Sequence, residues 1–363
     1  MRSYATVGAV ALTGVLALAA CGTDNNGGGS KAASPKASSC AKGSLNASGS
    51  TAQANAMTQW IKAYQSTCSS ATVNYQANGS GAGIQQFSQG STDFAGSDSP
   101  LKPEETGPAT KRCKGNKPVH LPMVPGPIAV VYNLPGVADL QIDGPTLGKI
   151  FSGKIKKWDD PAIKAQNSGA KLPSSPIQTF HRSESSGTTD NFTKYLAAAA
   201  GKNWTFDHDK TWKAPGGQGS KGSDGIASSV KQTTGALSYV ELSFAQSSKL
   251  SMAKVKNASG KYVALTNEAV GALISSAKAK GTGNDLQLEL DYNTMDPKAY
   301  PIALVTYEIV CSKGLPSDKV ALEKGFLSYA ASQKGQDTLT SLGYAPLPDT
   351  VATKVRQSIQ SIS

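Results

Sequence analysis

The chain has 363 residues, 39% of them hydrophobic and 17% charged, with 37 glycines and a formal net charge of +11. That length exceeds one ordinary core and points to two domains of about 120 to 200 residues each. The basic residues are scattered and form no block, which argues against a nucleic-acid-binding tract and leaves an anionic surface or a small anionic ligand.

Residues 1–20 read as a signal peptide: Arg2 is followed by small apolar residues running through VLALAA to Cys21. This stretch is too short and too small-sided for a membrane span. Leu18-Ala19-Ala20-Cys21 resembles the bacterial lipobox, which implies that Cys21 is lipidated and becomes the mature N-terminus. Residues 22–39, GTDNNGGGSKAASPKASS, offer almost nothing to bury. With Cys21 they form a flexible tether, with a reach of about 20 to 25 Å by random-coil scaling.

A strand, GSLNASG at 43–49, then enters a glycine turn, and 52–66 reads as a helix with Met57, Trp60, Ile61 and Tyr64 on its apolar face. ATVNYQ is a second strand, GAGIQQFSQG a short helix, and DFAGSD runs from a strand into a polar turn. VHLPMVPGPIAVVYNL at 119–134 is strongly strand-forming, interrupted by Pro-Gly-Pro at 125–127, and marks a crossing between lobes. TLGKIFSGKIKKWDDPAI gives a helix, a turn and a further short helix, and TGALSYVELSFAQ a strand and a short helix. PIALVTYEIVCS at 301–312 is the return crossing. One or two helices follow, and a tail with Val351, Val355, Ile359 and Ile362 at near-helical spacing packs on the first lobe. The expected fold is α/β with two lobes, lobe one from 40–126 plus 302–363 and lobe two from 127–301. Two crossover segments make a hinge, and the interlobe cleft is the natural ligand site.

Cys40, Cys68, Cys113 and Cys311 remain after Cys21. An oxidising exterior favours disulfides, and four cysteines allow three pairings. Cys40 with Cys68 is favoured, because the start of the first strand and the end of the first helix lie on the same side of a β-α unit. That leaves Cys113 with Cys311. His120, His181 and His208 form no metal motif with these cysteines.

Three turns share one construction of strand, small polar residues and helix: ASGSTAQA at 47–54, NGSGAGI at 78–84 and RSESSGTT at 182–189. The first N–H groups of a helix lack backbone acceptors, and serine or threonine can cap one of them. Three such starts aimed at one cleft make an anion site. Each alone also reads as a plain cap or glycine loop. Arg182 adds a planar fork suited to two oxygens, and Glu184 is placed to orient it; a structural ion pair is the alternative. Asp98 suits an anion site only if the ligand carries a proton for it to accept. Otherwise it caps the turn before Pro100.

In combination, STDFAGSDSPL, TLGKIFSGKIKKWDDPAI, HRSESSGTT, GSKGSDGIASSV, TTGALSYVE and the late YAPLP resemble the phosphate-binding subunit of the bacterial high-affinity phosphate ABC transporter, over about residues 43–350. The resemblance implies a periplasmic-binding-protein fold closing on one dehydrated phosphate. Residue by residue it implies Thr51, the backbone of Ala52, Ser80, and Asp98 as acceptor of the phosphate proton. From lobe two it implies Arg182, Ser186, Gly187 and Thr188, with Glu184 holding the arginine. The family commonly has aspartate at position 184 and an aromatic residue at position 52. GSKGSDGIASSV is then a glycine loop and helix near the cleft, and Trp158 and Asp159 shape a surface turn or a transporter contact. The implied partners are inorganic phosphate, the transmembrane permease subunits and, through Cys21, the outer face of the cytoplasmic membrane. No cofactor, metal, nucleic acid or enzymatic activity is implied, and a monomer is expected. A binding protein for sulfate or another tetrahedral oxyanion is the near rival, against which Asp98 argues. A hydrolase would need a nucleophile with its base or paired metals.

Overall fold

A computed structural model describes residues 40–363, so the expectations for the signal peptide, Cys21 and the tether lie outside the described residues. Strand β1 (Gly43–Gly49) and strand β2 (Ala71–Ala77) pair in parallel along their whole length, with helix α1 (Ala54–Thr67) as the crossover. Met57, Trp60 and Tyr64 are buried under it, three and four residues apart as one helical face requires. Helix α2 (Ser80–Ser88) leads to β3 (Phe94–Ser97), which pairs in parallel with the other side of β1. After α3 (Pro103–Arg112) comes β4 (Pro118–Asn133), a single 16-residue strand.

The interruption expected at Pro125-Gly126-Pro127 does not occur. Proline fixes φ within the extended region, so it removes ladder donors without ending a strand. The irregularity lies just before, where Val124 and Pro122 face the consecutive residues Thr306 and Tyr307, leaving Met123 as a bulge.

The middle of the chain supplies β5 (Gln141–Ile142), α4 (Gly144–Phe151), α5 (Pro161–Lys164), β6 (Gln178–Arg182), α6 (Gly187–Ala199), β7 (Gln218–Ser220), α7 (Gly222–Gln232), β8 (Ala236–Glu241) and α8 (Leu242–Ser247). Short strands β9 (Ser251–Met252), β10 (Lys254–Lys256) and β11 (Tyr262–Val263) precede α9 (Asn267–Ser275), β12 (Lys278–Ala279) and β13 (Leu288–Glu289). The chain returns along β14 (Ala303–Cys311), antiparallel to both β3 and β4, and ends in α10 (Ser317–Ala330), α11 (Gln333–Thr340) and α12 (Asp349–Ser361). The main sheet runs β2-β1-β3-β14-β4-β8-β6-β7, with β9 also on β4. The long strands β4 and β14 therefore join two parallel-rich halves.

Two apolar clusters fill the interior, the larger of which also draws in Ile84, Phe87 and Cys113 from the first half. One gathers Leu45, Trp60, Phe94, Leu121, Phe326 and Tyr344 with Val355 and Ile359 of the tail helix; the other is built on Ile128, Phe192, Leu237, Tyr239 and Tyr300. Trp158 belongs to the second cluster and not to the surface. It is fully buried against Tyr132 and its indole N–H donates to the Gly235 carbonyl at 3.1 Å. A surface turn or transporter contact was expected of it, but the flat ring turns inward from a polar loop. Asp159 stays half-exposed beside Lys164. Both disulfides, Cys40–Cys68 and Cys113–Cys311, bridge Cα atoms 5.3 Å apart.

Candidate functional site

The C-terminal ends of β1, β3, β6, β7 and β8 deliver the polar residues to one place. From β1 come Ser50, Thr51 and Ala52; from the β2–α2 turn, Gly79 with φ +102° and then Ser80; from β3, Asp98. From the other half come Arg182, the start of α6, Ser223 at the start of α7, and Glu241. Gly187 opens α6 where a Cβ would lie 2.5 Å from the Asp98 Cβ, so a side chain there would push the helix start off the aspartate.

Asp98 is 3% exposed. Its Oδ1 accepts from Ser50 Oγ at 2.6 Å and Thr306 Oγ1 at 2.7 Å, and its Oδ2 from Ser80 Oγ at 3.2 Å. It caps no backbone N–H. That task falls to Ser97, whose Oγ accepts from the Ser99 N–H at 3.3 Å. Burial pushes the Asp98 carboxyl up to about 6; Glu241 adds to the rise, while the Ser50 and Thr306 hydroxyls and the Arg182 charge oppose it.

Arg182 is equally buried, at 3% exposed. Its Nε donates to Glu184 Oε1 at 2.8 Å, and its Nη2 donates to the same oxygen. The extra methylene of Glu184 thus still reaches, and its carboxylate also accepts from the Gly222 N–H at 3.1 Å. Nη2 donates to Thr51 Oγ1 at 2.7 Å, and Nη1 to Thr188 Oγ1 at 3.2 Å and Ser223 Oγ at 3.4 Å. Burial works against the guanidinium charge, but Glu184 and Glu241 outweigh it and hold the pKa above its usual value.

The structure brings the expected residues together, each with its own task. Ala52 N–H donates to Ser50 Oγ at 3.0 Å. Ser186 caps α6, its Oγ accepting from the Thr189 N–H at 3.3 Å, and the Gly187 N–H donates to Ser80 Oγ at 3.1 Å, tying α6 to α2. Thr51 does not cap its own helix α1; it reaches across to the start of α7, its Oγ1 accepting from the Ser223 N–H at 3.2 Å and lying 2.8 Å from the Ser223 hydroxyl oxygen. Four residues of the cluster were absent from the sequence-based set: Ser50, Ser223, Glu241 and Thr306. Ser223 had a legible signal, since GSKGSDGI repeats the glycine–serine–helix construction of the other turns. Glu241 had a weaker one, as an acid closing the otherwise uncharged strand ALSYVE. Thr306 had none.

Behind Asp98 lies a cavity of about 740 Å³ lined in part by Ser99, Lys102, Asp190, Lys194, Lys210 and Tyr292. Its cations are paired: Lys194 with Asp190 at 2.7 Å, Lys102 with Asp209 at 3.1 Å and Lys210 with Glu105 at 2.7 Å. Each histidine has its own neighbour: His120 pairs with Asp285, His208 with Asp190, and His181 stacks on Trp212. Among the described residues no group of three or more His, Cys, Asp or Glu side chains is placed to hold a metal ion, and no helix is long and apolar enough to cross a membrane.

The family model of a PBP superfamily domain matches residues 34–334. Phosphate-binding protein PstS 3 of Mycobacterium tuberculosis is 45% identical over 369 residues, covering 100% of this chain and 99% of that protein. The chain belongs to the PstS family of phosphate-binding proteins. Phosphate-binding protein PstS of Methanocaldococcus jannaschii is 33% identical over 317 residues, 81% of this chain and 80% of its own. Among solved structures, a high-affinity periplasmic phosphate-binding protein (PfluDING) with bound phosphate matches at a TM-score of 0.70 and 22% identity, over 87% of this chain and 93% of that one. This PstS-family chain therefore has the two-lobed α/β fold of those proteins.

Proposed function

We propose that the protein binds inorganic phosphate outside the cytoplasmic membrane and delivers it to the permease subunits of an ABC transporter. The observation that carries the reading is a buried carboxylate, Asp98, set among hydroxyl and N–H donors and 18 residues from its partner Ser80. An acceptor in a donor-rich anion site suits an oxyanion that carries its own proton. In this reading Thr51, Ala52, Ser80 and Asp98 contact phosphate from lobe one, residues 40–126 plus 302–363. Arg182, Ser186, Gly187 and Thr188 contact it from lobe two, residues 127–301. Glu184 steadies Arg182. The ligand exchanges the contacts these groups make with one another for contacts with its own oxygens. The protein acts as a monomer without enzymatic activity, held to the membrane through a lipid on Cys21.

The rival oxyanion, sulfate, has no proton to give at neutral pH and would set a bare oxygen against Asp98. Titration calorimetry of the Cys21→Ser protein with phosphate and with sulfate, at fixed pH and ionic strength, tests the reading. Tight phosphate binding and weak sulfate binding are expected, and Asp98→Asn should lose much of the difference. An unchanged ratio in Asp98→Asn would return Asp98 to a structural role; preference for sulfate in the Cys21→Ser parent would overturn the assignment.

A further inference from the structure

We infer that Glu241 is a second selectivity carboxylate of this site, set behind Thr188 and Arg182 so that only an oxyanion bearing protons is accommodated; the inference rests on the phosphate-binding reading. Glu241 closes β8, a strand whose six residues are all buried, and is itself 0% exposed. A carboxylate there is costly without partners. It has one: Thr188 Oγ1 donates to its Oε1 at 2.5 Å. Its Oε2 is buried with no hydrogen-bond partner among the described residues.

A hydroxyl has a single proton. Because Thr188 gives its proton to Glu241 and accepts from Arg182 Nη1, the hydrogen bonds run one way, from guanidinium through hydroxyl to carboxylate. Two consequences follow. Thr188 has no hydroxyl proton left for a ligand and serves it through the backbone N–H in the first turn of α6. Glu241 also adds a negative charge that the ligand feels. The charged and titratable groups on which its charge acts are Arg182 from β6, Asp98 from the end of β3 and Tyr344 from the C-terminal segment. With Glu184 included, one guanidinium is set against three carboxylates. Sulfate and hydrogen phosphate carry the same charge at pH 7.5, so the difference lies in the proton: hydrogen phosphate can turn an O–H toward the carboxylates and sulfate cannot.

The test is the ratio of sulfate to phosphate dissociation constants, measured at pH 7.5 and fixed ionic strength in the full mature chain. Glu241→Gln keeps an acceptor for Thr188 and removes the charge, so the ratio should fall by about tenfold, the scale of one charged contact. Glu241→Met, neutral and of similar length, should lower it too and replaces the glutamine variant if that one fails to fold. Thr188→Val keeps the charge and breaks the hydrogen-bond chain; it should weaken phosphate and leave the ratio within about twofold. Neutral variants that bind phosphate at an unchanged ratio, or that weaken both ligands equally, would overturn the inference. Failure of the unsubstituted chain to bind phosphate would instead overturn the functional reading.

Discussion

Arg182 spends every polar nitrogen of its side chain on the protein, on Glu184, Thr51, Thr188 and Ser223. Arg182→Ala should therefore cost phosphate binding about 2 to 5 kcal/mol, as for a buried charged hydrogen-bonded pair. Arg182→Lys should not restore it, because a point charge cannot span those directions. Calorimetry on folded variants decides, and wild-type affinity in the alanine variant would remove Arg182 from the site. Asp98 carries a pH dependence of known sign. Its carboxyl is pushed up to about 6, so it is an ionised acceptor above that pH and a proton donor below it. The phosphate-to-sulfate preference should narrow as pH falls through about 6, and a preference flat from pH 5 to 8 would contradict this. Arg182, Ser80 and Asp98 were legible in the sequence because each lies in a turn whose local pattern carries its chemistry. Thr306 was not: its side chain meets Asp98, 208 residues away, only through the register of β14 on β3. Trp158 misled for the converse reason, since its neighbours in sequence are polar while its neighbours in space are not.

The helix and strand order was largely readable, because apolar spacing and Gly or Ser turns are local signals. Pairing across the sheet was not, and the uninterrupted β4 shows why: its continuity depends on β14, which lies far along the chain. The start of α3 also meets the 207–213 loop of the other half through two opposed ion pairs, Lys102–Asp209 and Glu105–Lys210. Lys210 is nearly fully buried, and its carbonyl accepts from the Ser186 N–H at 2.8 Å, so the same loop supports the start of α6. The half-exposed Lys102 pair should contribute under about 1 kcal/mol. Glu105 and Lys210 should couple more strongly. A double-mutant cycle with Glu105→Gln and Lys210→Met, read on phosphate affinity, should give about 1 to 3 kcal/mol of coupling. Coupling seen in unfolding but absent in binding would mean that the pair is not engaged by closure. On β14, burial pushes Glu308 up to about 8, with Asp98 adding to the rise and Gln53 opposing it. The folded chain then keeps a proton that the unfolded chain loses above its ordinary carboxylate range. This stabilisation is full at low pH and is lost as pH rises through about 8, by up to ~5 kcal/mol. Glu308→Gln should flatten the fall in denaturation midpoint between pH 5 and pH 8, and an equal fall in both proteins would assign it elsewhere.

At the scale of the whole molecule, the direct contacts of Thr51 with Arg182 and Ser223 hold the two halves together at the site. Phosphate bridging the same elements should favour the closed population. Small-angle scattering should show a smaller radius of gyration with phosphate, and identical radii with binding demonstrated would count against a hinge. A last consequence belongs to the pairing of β4 with β14. Pro127 and Ala303 are direct partners, and the Ile128 N–H donates to the Ile302 carbonyl at 3.1 Å. Everything between them leaves and re-enters the remaining structure at adjacent points, as an insertion does. Both disulfides and the Leu45–Trp60–Phe326 cluster lie outside the inserted stretch. Replacing 128–302 by a two-residue Asn-Gly turn should therefore leave a miniature that folds cooperatively with both disulfides intact, since such a turn closes neighbouring antiparallel strands. It would lack Arg182 and bind no phosphate. A non-cooperative denaturation curve for that miniature would show that this half needs residues 128–302 in order to fold.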